Sequence, residues 1–133
     1  MSAAAHPAEM RTAAQRSGDR AEDLVADRLS GAGWRIVGRN VRVGRAEIDI
    51  VGLDPGPPPA LVIVEVRWRA RRDFGLPEET VDHRKRSRLR TAARILHQRG
   101  TLPDGTVLPR AALRFDLVVV EPGAVVRHHR HGG

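Results

Sequence analysis

The 133-residue chain contains no cysteine, which excludes disulfides and thiolate chemistry together and fits a reducing cytosol. Aromatic residues make up only 3% of it, so the core must be built from Val, Leu, Ile and Ala. No apolar run approaches the roughly 20 residues that a membrane helix needs. The N-terminal stretch lacks the apolar segment of a signal peptide. These absences predict a cytoplasmic protein with no membrane partner. There is no Ser-His-Asp arrangement and no phosphate-cradling glycine-rich loop. Lysine is nearly missing too: Lys85 is the only one, and arginine carries the remaining positive charge.

What is present suits one soluble domain, with 41% hydrophobic and 29% charged residues and a net charge of +7. Arginine's planar fork matches phosphate, so the basic excess favours a polyanionic partner. Nucleic acid is the expected one, DNA before RNA, and a homodimer is compatible with the composition.

Residues 1–16 read as a flexible arm, residues 17–121 as a single domain and residues 122–133 as a flexible basic tail rich in His and Arg. A helix is expected from about Ser17 to Ala32, with Ser17 as its cap and Gly31 and Gly33 as its stop. Its buried stripe runs through Ala21, Leu24, Val25 and Leu29. Glu22 borders that stripe, whereas Asp19, Asp23 and Asp27 form a separate, solvent-facing line. Three strands follow, over 34–43 (interrupted near Gly38), 46–53 and 60–69. Gly44 and Arg45 form the first turn, and the proline-rich stretch 54–59 forms the second. A basic loop leads to a long helix over 78–99, and an apolar strand spans 113–121. The fold class is α/β: a mixed sheet in which an antiparallel meander is joined by a parallel strand after a helical crossover.

The acids that carry chemistry lie on the paired strands. Alternation puts Glu47 and Asp49 on one face and Ile48 and Ile50 on the other, while Glu65 shares a face with Arg67. With Leu53 opposite Leu61, Asp49 falls opposite Glu65 and Glu47 opposite Arg67. Two acids directly opposed across a ladder repel, and a hard divalent cation such as Mg²⁺ or Mn²⁺ is the natural compensation. The competing reading pairs these acids with arginines, Glu47 with Arg67 for instance.

The stretches Ala21-Glu22, Asn40-Val41-Arg42, Ala46-Glu47-Ile48-Asp49-Ile50, Val64-Glu65-Val66-Arg67 and Arg114-Phe115-Asp116 resemble the YraN family of bacterial proteins. That family belongs to the PD-(D/E)xK nuclease superfamily, and the resemblance spans about residues 16–121. It implies a restriction-endonuclease-like core in which Asp49 and Glu65 bind the metal, the Val66 carbonyl adds a ligand and Glu22 supports the site. Glu47 belongs to the same acidic run. Arg67 stands where the superfamily has lysine, and Ala46 where the family usually has glycine. Arginine stays protonated, so Arg67 could stabilise charge on a phosphate but could not act as a general base. Lys85 is a candidate displaced lysine, weighed against an ordinary exposed one.

Arg69, Arg71 and Arg72 on the loop and Arg84, Lys85, Arg86 and Arg88 on the second helix, with Arg90 and Arg94 beyond, are the candidate phosphate contacts. Trp68 is expected to pack under that helix, and His128, His129 and His131 to fray with the tail. The expected function is a metal-dependent endonuclease acting on DNA, including branched DNA. The alternatives are a non-catalytic nucleic-acid-binding module with the same fold, and a basic adaptor docking on an acidic protein.

Overall fold

The computed structural model describes residues 12–70 and 77–131, with residues 77–82 and 131 as backbone only. Helix α1 (Ala13–Gly31) leads into strands β1 (Arg35–Val43), β2 (Ala46–Asp54) and β3 (Ala60–Trp68). Helix α2 (Pro77–Arg99) then crosses over to β4 (Ala112–Glu121), and β5 (Val125–His131) ends the described chain. The five strands form one sheet in the order β1-β2-β3-β4-β5. Every neighbouring pair is antiparallel except β3 and β4, which run parallel. This is the mixed α/β sheet expected from a meander followed by a helical crossover.

The proline-rich turn sets the β2–β3 register. Asp54 pairs with Ala60 and Leu53 with Leu61, as the sequence predicts. The ladder runs to Ile50–Val64 and stops there, one step before Asp49 and Glu65. Between β1 and β2 the register shifts between Ile36 and Gly38, so the interruption expected near Gly38 is a bulge.

Each helix covers one face. Val25 and Leu29 of α1 pack with Ile50, Val62, Val64, Val118 and Val120, while Ala93 and Leu96 of α2 pack with Ile48, Val51, Leu61, Ile63 and Phe115. Ile48 and Ile50 therefore belong to opposite faces, which corrects the strict alternation predicted for β2. The pleat is broken at Asp49. Between the Arg39–Ile50 and Val41–Ile48 pairs, Asn40 of β1 has φ of 51°, a left-handed conformation that Asn tolerates better than most residues.

Two boundaries also move. Helix α1 begins four residues before Ser17, because Thr12 and Gln15 close a capping box: the Gln15 N–H donates to Thr12 Oγ1 at 3.1 Å and the Thr12 N–H to Gln15 Oε1 at 2.8 Å. The segment read as a flexible tail instead contributes β5, paired along β4 from Glu121–Val125 to Phe115–His131. Its polar residues disguise it: Val126 adds to the apolar cluster under α1, while the strand lies at the sheet edge where charge is tolerated. No helix among the described residues is long and apolar enough to cross a membrane.

Candidate functional site

Where β2 and β3 part, Asp49 takes over the role of a ladder partner. Its Oδ2 accepts a hydrogen bond from the Val66 N–H at 2.8 Å, replacing the backbone acceptor that a continued ladder would have supplied. Among the described residues its Oδ1 has no hydrogen-bond partner. Burial pushes the Asp49 carboxyl up to about 6; the Val66 N–H opposes this, the charges of Glu22 and Glu65 add to it, and Lys85 counteracts it. Glu22 lies within electrostatic reach from α1. Burial raises its pKa too, against hydrogen bonds from Arg39 and Asn40. The Arg39 Nη2 lies 3.1 Å from Glu22 Oε1 and 2.6 Å from Asp23 Oδ1.

Glu65, one step further along β3, is held differently. Arg67 Nη2 donates to its Oε2 at 3.1 Å, and Arg86 Nε of α2 lies 3.5 Å from its Oε1. Both carboxylate oxygens thus face guanidinium groups.

Among the described residues, no three of His, Asp and Glu are grouped closely enough to hold a metal ion together. Mg²⁺ requires less than that, since one or two carboxylates with waters commonly suffice. Asp49 fits this demand, as a half-buried carboxylate whose ionisation is disfavoured and whose Oδ1 has no hydrogen-bond partner among the described residues. Glu65 fits it only if an arginine releases one of its oxygens. The Val66 main chain is placed beside Asp49, and the contact seen there is through its N–H.

The other predicted residues divide clearly. Glu47 does not meet Arg67: β2 pairs with β3 only from Ile50 onward, and Glu47, before that point, pairs with Arg42 of β1, at 3.2 Å between Oε2 and Nε on the surface. Arg86 joins Arg90 and Arg94 in lining an open polar groove of about 330 Å³ along α2, with His83, Ser87 and Thr91. The guanidinium groups of Arg90 and Arg94 also rest over Phe115, 5.3 and 5.8 Å from its ring centre. Arg88 faces elsewhere, lining a second groove with Arg45. Arg84 and Lys85 are exposed, Arg69 is half-buried after β3, and Arg71 and Arg72 lie outside the described residues. Trp68 is not under α2. It borders a cleft with Ser17, Arg20 and Leu24, because the side chain emerges on the α1 side.

A second constellation, which sequence reading missed, reaches from Asp54 beside the proline-rich turn to Asp116, the β4 partner of Val64. Arg114 Nη2 lies 2.9 Å from Asp54 Oδ2, and its Nε lies 3.0 Å from Asp116 Oδ1. His128 Nε2 completes the set at 2.8 Å from Asp116 Oδ2. Asp54 also accepts the Gly56 N–H at 3.0 Å. An Arg-x-Asp pair at i and i+2 on one strand face was the available signal. His97 has its Nε2 2.8 Å from the Ala111 carbonyl oxygen.

Residues 21–120 match the model of the uncharacterised protein family UPF0102, the YraN family. The chain belongs to this family. It is 40% identical over 110 residues to a UPF0102 protein of Symbiobacterium thermophilum, covering 82% of this chain and 85% of that one. Against a UPF0102 protein of Moorella thermoacetica the figures are 41% over 107 residues, with 80% and 81% covered. A relative in Solibacter usitatus is 44% identical over 101 residues, covering 74% of this chain and 70% of its own. The UPF0102 match takes in Glu22, Asp49, Glu65, Arg67 and the α2 groove, and ends before β5 and His128.

Proposed function

We propose that this UPF0102 protein binds nucleic acid, DNA in the first place, and hydrolyses phosphodiester bonds with a divalent cation held by Asp49 and Glu65. The observation that carries this reading is the placement of the half-buried Asp49 carboxylate where the β2–β3 ladder stops, bound to the Val66 N–H at 2.8 Å and within electrostatic reach of Lys85 on α2, with desolvation pushing it up to about 6. Asp49 is oriented by the Val66 N–H, and Glu22 adds negative potential from α1. Mg²⁺ or Mn²⁺, when bound, lowers the pKa of a water and neutralises charge on the phosphate. Arg67 stays protonated and offers its guanidinium to a phosphate oxygen. Lys85 is close enough to lower the Asp49 pKa, so the chain's single lysine is a candidate for the lysine missing at position 67. The arginines of the α2 groove hold the backbone, without reading bases.

One observation favours a second reading, a non-catalytic binding module: in the described state both oxygens of Glu65 face arginines. Incubating the full chain with duplex and branched DNA plus Mg²⁺ or Mn²⁺ separates the two. The endonuclease reading expects cleavage that is lost in Asp49→Asn and Glu65→Gln. Salt-sensitive binding without cleavage under either ion would establish the module instead.

A further inference from the structure

Arg86 belongs to two constellations at once. Its Nε lies 3.5 Å from Glu65 Oε1, and its side chain lines the α2 groove with Arg90 and Arg94. These three arginines recur every four residues and so follow one another along one helix face. The groove and the carboxylate therefore share a guanidinium. Arg67 holds the other oxygen of Glu65 more closely, at 3.1 Å, and is the less exposed of the two, 17% against 37% for Arg86. Of the two contacts, the Arg86 one is the easier to exchange.

We propose that Arg86 couples the groove to the carboxylates: a phosphate backbone lying in the groove draws Arg86 from Glu65, whose Oε1 then becomes available to a divalent cation beside Asp49. This rests on the two-carboxylate reading above and adds to it a cooperative order of assembly. Phosphate offers the guanidinium charge-assisted hydrogen bonds of the same kind that Glu65 offers. With Arg86 withdrawn, a mostly buried Glu65 keeps one cation for its charge while facing the field of Asp49. A divalent ion restores the balance. Linkage makes the effect reciprocal, so polyanion tightens cation binding by the factor by which cation tightens polyanion binding. A protein built in this way holds its metal firmly only with nucleic acid in place.

Mn²⁺ binding to the full chain, read from loss of the free-ion electron paramagnetic resonance signal, tests the coupling. It is measured at fixed ionic strength with and without a saturating duplex oligonucleotide, whose own Mn²⁺ uptake is subtracted. The duplex should tighten Mn²⁺ binding by about fivefold or more in the natural protein. Arg86→Gln should bind Mn²⁺ that much more tightly without duplex, and gain less than about twofold when duplex is added. Arg99→Gln removes a charge from the last turn of the same helix, away from Glu65, and should keep the natural coupling. Circular dichroism melting identifies any folding defect in the variants, and the comparison on the natural protein needs no variant at all. Equal Mn²⁺ affinity with and without duplex overturns the coupling and leaves the two-carboxylate reading standing. No Mn²⁺ binding by the natural protein or Arg86→Gln in either condition overturns both.

Discussion

Asp54 and Asp116 share the guanidinium of Arg114; where the β2–β3 ladder stops, Asp49 has, among the described residues, a single N–H for a partner. Burial alone would raise all three carboxyls. For Asp54 it is outweighed by the Gly56 N–H and Arg114, and for Asp116 by His128 and Arg114, so both titrate below the usual range. For Asp49, burial wins. An acid whose partners overcompensate its desolvation belongs to the scaffold. One left undercompensated, beside other acids, is a place where a cation from solution can complete the charge. The two groups of acids thus differ in the sign of the same physical quantity.

The comparison breaks most visibly at the Arg114 network. Asp116→Ala should cost about 3–5 kcal/mol in urea denaturation, because it strips the half-buried Arg114 of two contacts and His128 of its partner. A loss below about 1 kcal/mol would mean that the network does not hold these strands together. Divalent-cation binding should survive in whatever fraction folds.

At Asp49 the sign reverses. The Asp49 carboxyl titrates near 6 in the folded chain against a reference of 3.8, so the folded state resists its ionisation. No penalty exists below the reference value; it grows as pH rises to about 6 and is constant above. Asp49→Asn should therefore stabilise the protein by up to about 3 kcal/mol at pH 8, with the gain vanishing as the pH falls below 4. The same variant should lose Mn²⁺ binding. A variant less stable than the natural protein at pH 8 would place Asp49 with the structural acids.

Glu47 sharpens the boundary of the site through a small effect. Its pair with Arg42 is exposed, so Glu47→Ala should change stability by no more than about 0.5 kcal/mol. Mn²⁺ affinity should be unchanged. A marked loss of affinity would return Glu47 to the acidic site.

Much of this was legible in the sequence where a local rule acts alone. The proline-rich turn fixed Leu53 opposite Leu61, and helical spacing separated Glu22, whose side chain is 12% exposed, from Asp23 at 65%. The mixed sheet followed from a helix between two apolar strands. What escaped depends on two elements meeting. The end of the β2–β3 ladder at Ile50 sends Glu47 to Arg42, and no alternation rule announces where a ladder stops. The Arg86–Glu65 contact joins a helix to a strand across an unpredictable packing angle. Strand β5 hid behind His and Arg residues, two of which, His128 and Arg130, face Asp116 and Asp54. A turn of Pro122 and Gly123 between two β-branched runs was the overlooked hairpin signal. The α1 start was readable from Thr12 and Gln15 at capping-box spacing.

The most direct measurement is a carbon-13 NMR titration of the Asp49 side-chain carboxyl with and without Mg²⁺. The predicted midpoint is about 6 in the absence of the ion, and saturating Mg²⁺ should lower it by about one unit or more. A midpoint at the ordinary aspartate value of about 3.9, unmoved by Mg²⁺, would contradict a cation site at Asp49.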